Sequence, residues 1–198
     1  MKMLRAEYIV FLVFFMGIKA HSQLKFPVTN NGLRHDLTTV IADFPNNFST
    51  IKGDVLVENP QSVEYASLLD FSGAEGNSIT KYNSTKSIYS WKALMLTTED
   101  FTEATKKYKW LYNQLKVMTI QLNDYSFSLA GDYDEPDETK KFSACTFRLL
   151  PAATNLPKLK IEVTMEFEFP EWKTSIVVFE KEREDEDRGN IKEDFPTP

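Results

Sequence analysis

The sequence predicts an α+β fold, a single domain whose antiparallel sheet carries helices packed on one face. Three observations predict it. Segments with apolar residues at helical spacing are each followed by several segments with strand-like alternation. The strand-like segments follow one another through short turns, which suits antiparallel neighbours, since parallel ones need long crossovers. No Gly/Ser- or Pro-rich linker divides the chain, and a mature length of 176 residues buries roughly 70% of the unfolded surface in one core.

The first 22 residues are expected to stand apart from the fold. Lys2 and Arg5 give a positive start, and Ile9 to Ile18 is a ten-residue apolar run without charge. A membrane span needs roughly 20 such residues, so the segment reads as a cleavable signal peptide. Ala20-His21-Ser22 puts small residues where a signal peptidase reads them, which places the cut after Ser22. A cut after Ala20 would put Ile18 at the outer position. The junction lacks the cysteine of a bacterial lipid anchor, and no later stretch is long and apolar enough to span a bilayer. The expected location is secreted or periplasmic. Cleavage would remove Lys2, Arg5, Lys19 and Glu7, taking the net charge from −6 to −8 and leaving His35 as the only histidine.

The first helix is marked by Leu33, Leu37, Val40, Ile41 and Phe44. Asn30 or Asn31 supplies a cap, and Pro45 disfavours helical backbone at Phe44. Strands are expected at about 62–70, 78–82 and 87–96, the last with Tyr89, Trp91, Ala93 and Met95 on one face. A second helix is expected from Phe101 through Ala104, Tyr108, Leu111, Leu115 and Met118 to Leu122, one apolar stripe. Thr97 and Asp100 resemble a capping box at its start. Strands resume at Tyr125–Tyr133 and around Cys145, Phe147 and Leu149. Leu159 to Phe169 alternates strictly over eleven residues, with Lys160, Glu162, Thr164, Glu166 and Glu168 between the apolar positions. Such a strand has one buried and one wet face. A last strand, Trp172 to Phe179, follows a Pro170-Glu171 turn. The chain thus divides into two αβββ-type halves, about 31–96 and 97–180, within one domain over 23–180. This order resembles the tandem αβββ plan of small secreted inhibitor and PepSY-like modules, a likeness of architecture that implies no function. Residues 181–198 carry many charges and almost no apolar side chains, and are expected to form a disordered acidic tail.

Composition narrows the chemistry. A sequence pI near 5.1 argues against nucleic acid, which calls for a basic stripe. One cysteine excludes a disulfide framework, and one cysteine with two histidines is too few for a structural zinc site. Phosphate-cradling and dinucleotide glycine motifs are absent, so no cofactor is expected. Nucleophilic catalysis would have to use His35, which sits on the first helix away from its apolar stripe, and no nucleophile elbow surrounds any serine. Cys145, within a strand, reads as a buried packing thiol. The carboxylates of 132–138 crowd one loop, but the loop lacks the glycine of a calcium-binding turn and has Pro136 at a ligand position. A solvated hairpin loop is the expected reading.

Glu162 and Glu166 lie roughly 13 Å apart along a strand, too far for a glycosidase pair, whereas Glu166 and Glu168 lie roughly 6–7 Å apart. Nothing apolar on their face would raise one of them. Among the aromatics, Trp110 at the edge of the second helix's stripe, Tyr112 beside it, and Trp172 next to a turn are the candidate binding residues. Each also fits the edge of a core. Asn47-Phe48-Ser49 and Asn83-Ser84-Thr85 are glycan acceptors where the host glycosylates. The expectation is an exported, soluble, non-catalytic binding protein with a protein or small-molecule partner. A carrier with an apolar cavity between sheet and helices is the alternative, and an enzyme ranks last.

Overall fold

The computed structural model describes residues 30–83, 88–154, 156 and 158–180. The expected signal peptide and acidic tail lie outside these residues, as do Ser84 and Thr85 of the second glycan motif. Helix α1 (Asn30–Asp43) turns Leu33, Leu37, Val40 and Ile41 into full burial. Pro45 sits in the 3-10 turn (Phe44–Asn46) that ends it, and Asn47 and Phe48 then take left-handed backbone angles. Two buried carboxylates fasten this helix. Asp43 accepts from the backbone N–H of Thr50 at 2.9 Å, and Asp36 from that of Ser72 at 2.8 Å.

Four strands follow: β1 (Lys52–Asn59), β2 (Ser62–Ser67), β3 (Gly76–Tyr82) and β4 (Ile88–Thr98). Helix α2 (Phe101–Lys116) leads to five more: β5 (Thr119–Leu122), β6 (Tyr125–Gly131), β7 (Phe142–Leu150), β8 (Leu159–Glu168) and β9 (Glu171–Glu180). All nine join one sheet in the order β1-β2-β3-β4-β9-β8-β7-β6-β5, every neighbouring pair antiparallel. Two meanders therefore meet at β4 and β9, where Trp91 opposes Val178 and Ala93 opposes Ile176.

The core lies between the helices and the sheet face they cover. Trp91, Ala93, Phe147, Ile161, Val163, Ile176 and Val178 face it from the strands, and Leu37, Tyr108, Leu111 and Leu115 from the helices, all fully buried. Each such aliphatic side chain contributes about 1.5–3 kcal/mol relative to exposure. The indole N–H of Trp91 donates to Ser67 Oγ at 3.2 Å, so its burial leaves no donor unmet. Among the described residues no helix is long and apolar enough to cross a membrane.

Four expectations are corrected. Residues 52–59 form a strand that the alternation does not announce, because Val55, Leu56 and Val57 are all exposed and two bulges break the period. Helix α2 ends at Lys116, and Met118 and Leu122, which continue its three-and-four step, belong to the turn and strand beyond. The cap of α2 is Asp100, not Thr97: its carboxylate accepts from the N–H groups of Thr102 (2.7 Å) and Glu103 (3.4 Å). The strands after the two helices number four and five.

Candidate functional site

Strand alternation gives the sheet a second face, opposite the helices. Its residues can be followed rung by rung from the register. Thr80, Ser90, Phe179 and Lys160 form one rung, and Ser78, Lys92, Val177, Glu162 and Thr146 the next. Leu94, Ser175, Thr164 and Ala144 follow, and then Lys173, Glu166 and Phe142. Hydroxyl side chains recur on every rung but the last because these strands place small polar residues between their buried apolar ones.

This face holds a groove of about 670 Å³, lined by residues of seven strands from Asn59 on β1 to Phe142, Ala144 and Thr146 on β7. Six strand spacings make it roughly 29 Å long. Its charged lining is Glu64, Glu162 and Glu166 against Lys92. Lys92 Nζ lies 2.9 Å from Glu166 Oε1, and Thr146 donates its hydroxyl to Glu162 at 2.7 Å. At the hairpin end Lys173 pairs with Glu168; its hydrogen bond holds that carboxyl below the usual carboxylate range and raises the lysine. Among the described residues, one fully buried hydroxyl of this face, Ser175 Oγ, has no hydrogen-bond partner.

The residues singled out in the sequence fall elsewhere. Trp172 is 4% exposed, its ring 5.1 Å from that of Phe101 and 5.0 Å from that of Phe167. Tyr112 is 6% exposed, stacks 4.9 Å from Tyr133, and donates its hydroxyl to the Gly131 carbonyl at 3.2 Å. Both are core aromatics in this arrangement. Trp110 is half-buried at the rim of α2, with Lys107 Nζ 5.0 Å over its ring. The three do not converge on one surface site.

His35 is exposed on α1. Cys145 is fully buried, its Sγ 2.9 Å from the Tyr108 hydroxyl and accepting from the Asp134 N–H at 3.2 Å. Burial pushes both the thiol and the Tyr108 phenol above their ordinary values. In the 132–138 loop, Asp137 accepts from the hydroxyl and N–H of Thr139, bonds that lower its pKa. Among the described residues no three His, Cys, Asp or Glu side chains gather as a metal-holding group.

Of the open face, sequence reasoning found the wet side of β8 through its alternation. Lys92, Ser175 and the hydroxyls of β3 and β4 were not singled out. Their signal is the polar half of the alternation in 78–82 and 88–94 and, for Ser175, in 173–179, which gains meaning only once the strands are aligned. Compared with protein-family models, with curated proteins and with solved structures, the chain matches none.

Proposed function

We propose that this is an exported, non-catalytic binding protein that receives a partner on the open face of its sheet. The observation that carries the reading is the groove itself, long, polar and formed by seven strands. A site roughly 29 Å long suits an extended or broad partner better than a compact small molecule. The positive start and short apolar run at the N-terminus support export. The reading extends to architecture: two helix-plus-meander halves, about 31–96 and 97–180, meet at the β4–β9 pair and present one continuous face. The open face is preferred over an apolar cavity because large buried side chains, Trp91, Tyr108 and Phe147 among them, occupy the layer between sheet and helices. Catalysis ranks low because His35 lies exposed on α1 whereas Cys145 is sealed in the core.

A photo-crosslinking amino acid placed at Thr80 or Ala144, both in the groove, tests the reading. The control position is Lys106, exposed on α2. Capture of one partner from the groove positions in the native extracellular or periplasmic fraction is the expected result. Capture from Lys106 alone would overturn it.

A further inference from the structure

The middle of the groove holds an ion pair that spans β9, whose rung between the two partners carries a buried, unpartnered hydroxyl. Lys92 on β4 and Glu166 on β8 stand two rungs apart with β9 between them, and the line joining them crosses β9 at Ser175. The pair is partly open to water, with side chains 37% and 29% exposed. Ser175 is fully buried, and its Oγ has no partner. A buried hydroxyl left unmet costs stability, while an ion pair this exposed returns little. The pair is cheap to break, and Ser175 Oγ, on the rung between its two ends, gains by being met.

We propose that the Lys92–Glu166 pair is a displaceable strap, and that the groove takes the arginine side chain of an extended polypeptide partner. The guanidinium replaces the Lys92 ammonium on Glu166 and donates a further N–H to Ser175 Oγ. The proposal rests on the open face being the docking surface. Arginine is favoured over lysine because a second ammonium would only repeat what Lys92 offers. A planar guanidinium has five donors, enough for a two-point bond to a carboxylate and another to a hydroxyl. The released Lys92 keeps a carboxylate in reach: Glu162 shares its rung, roughly 10 Å away across two strand spacings.

The charge balance of the groove, three carboxylates to one ammonium, draws a cation in. It also disfavours the chain's own residues 181–198, with seven carboxylates to four cations. The exposed phenyl ring of the groove, Phe142 at 52%, stands at its β7 end, whereas Phe179 near the centre is 4% exposed, so a sugar stacked on the lining would leave the central ion pair untouched.

The test is an amide-shift titration of the isotope-labelled protein with three probes. They are the peptide Ac-Ser-Gly-Arg-Gly-Ser-NH2, its citrulline counterpart, and maltohexaose. The arginine peptide is expected to move the amides of Lys92, Thr164, Glu166 and Ser175, and to bind about tenfold more tightly than the citrulline peptide. Glu166→Gln should weaken it about tenfold and Ser175→Ala about threefold, with circular dichroism unchanged. Equal binding of both peptides on these amides would overturn the exchange while leaving the face a docking surface. Shifts from maltohexaose alone would assign the groove to a sugar. Silence from all three would overturn the strap, and crosslinking from Thr80 and Ala144 then decides separately whether the face docks a partner.

Discussion

Thr174 and Ser175 are neighbours on β9 whose side chains leave on opposite faces, and both are fully buried with unpartnered hydroxyls. Thr174 faces the helices, among side chains that offer its Oγ1 nothing. Replacing it by its isostere removes the unmet group without leaving a hole, so Thr174→Val is expected to stabilise the protein by about 1 kcal/mol in urea unfolding. A loss of stability would mean that the hydroxyl is satisfied in solution. Cys145 and Tyr108 make a second residue-scale case. Both are uncharged when protonated, and burial raises both above their ordinary values of 9.0 and 10.0. Their contribution to stability is therefore complete below the ordinary thiol value of 9.0 and is lost as pH rises beyond it, because the unfolded chain releases protons that the folded one keeps. Unfolding free energies measured at rising alkaline pH should fall, and the double variant Cys145→Ala, Tyr108→Phe should fall less steeply. Equal slopes would sink the assignment.

At the scale of the element, α2 depends on its first turn. Asp100 meets two orphan N–H groups, Glu103 adds a carboxylate near the helix start, and Thr98 fixes that carboxylate with a 2.8 Å bond. Asp100→Ala is expected to cost about 1 kcal/mol, whereas Asp100→Asn should cost a few tenths at most. Thermal denaturation separates the two. Legibility in the sequence also varies element by element. The strand β8 was legible because each apolar residue faces a core and most of its polar residues face the groove, the condition that produces strict alternation. The strand β1 was not, because neither of its faces is covered: Val55, Leu56 and Val57 are 54%, 57% and 46% exposed. The end of α2 was hidden by coincidence. Ile120 and Leu122 are buried at a strand's spacing of two, yet Leu115, Met118 and Leu122 also keep a helix's steps. The groove was hardest to see, since each rung takes one residue from each of several strands far apart in the chain. Aromatic side chains drew the reasoning to Trp172 and Tyr112, whose size places them in the core.

At the scale of the molecule, stability should be graded across the sheet. The middle strands β4, β9 and β8 have neighbours on both sides and helix α2 against one face. The edge strand β1 has one neighbour, two bulges and no buried residue. Native-state hydrogen exchange is expected to be slowest in β4, β8 and β9 and fastest in β1, the order set by burial and pairing. Protection of β1 equal to that of β9 would show that something pairs with the free edge. Leu56→Lys should leave the melting temperature within about 1 °C, since the side chain it replaces is exposed.

The joining of β4 to β9 also sets a timetable. Trp91 and Val178 oppose each other although 87 positions separate them along the chain. Each meander can zip locally, but this central seam closes a long loop and waits for the last strand of the sheet. A chain that emerges from its N-terminus, whether from a ribosome or through a translocation pore, therefore carries β4 with one side unpaired until β9 is out. Until then β4 and β8 are both open edges of their meanders. The order of strands thus delays completion of the sheet until β9 has emerged, which leaves β1 to β8 threadable up to that point and most vulnerable to mispairing just before it.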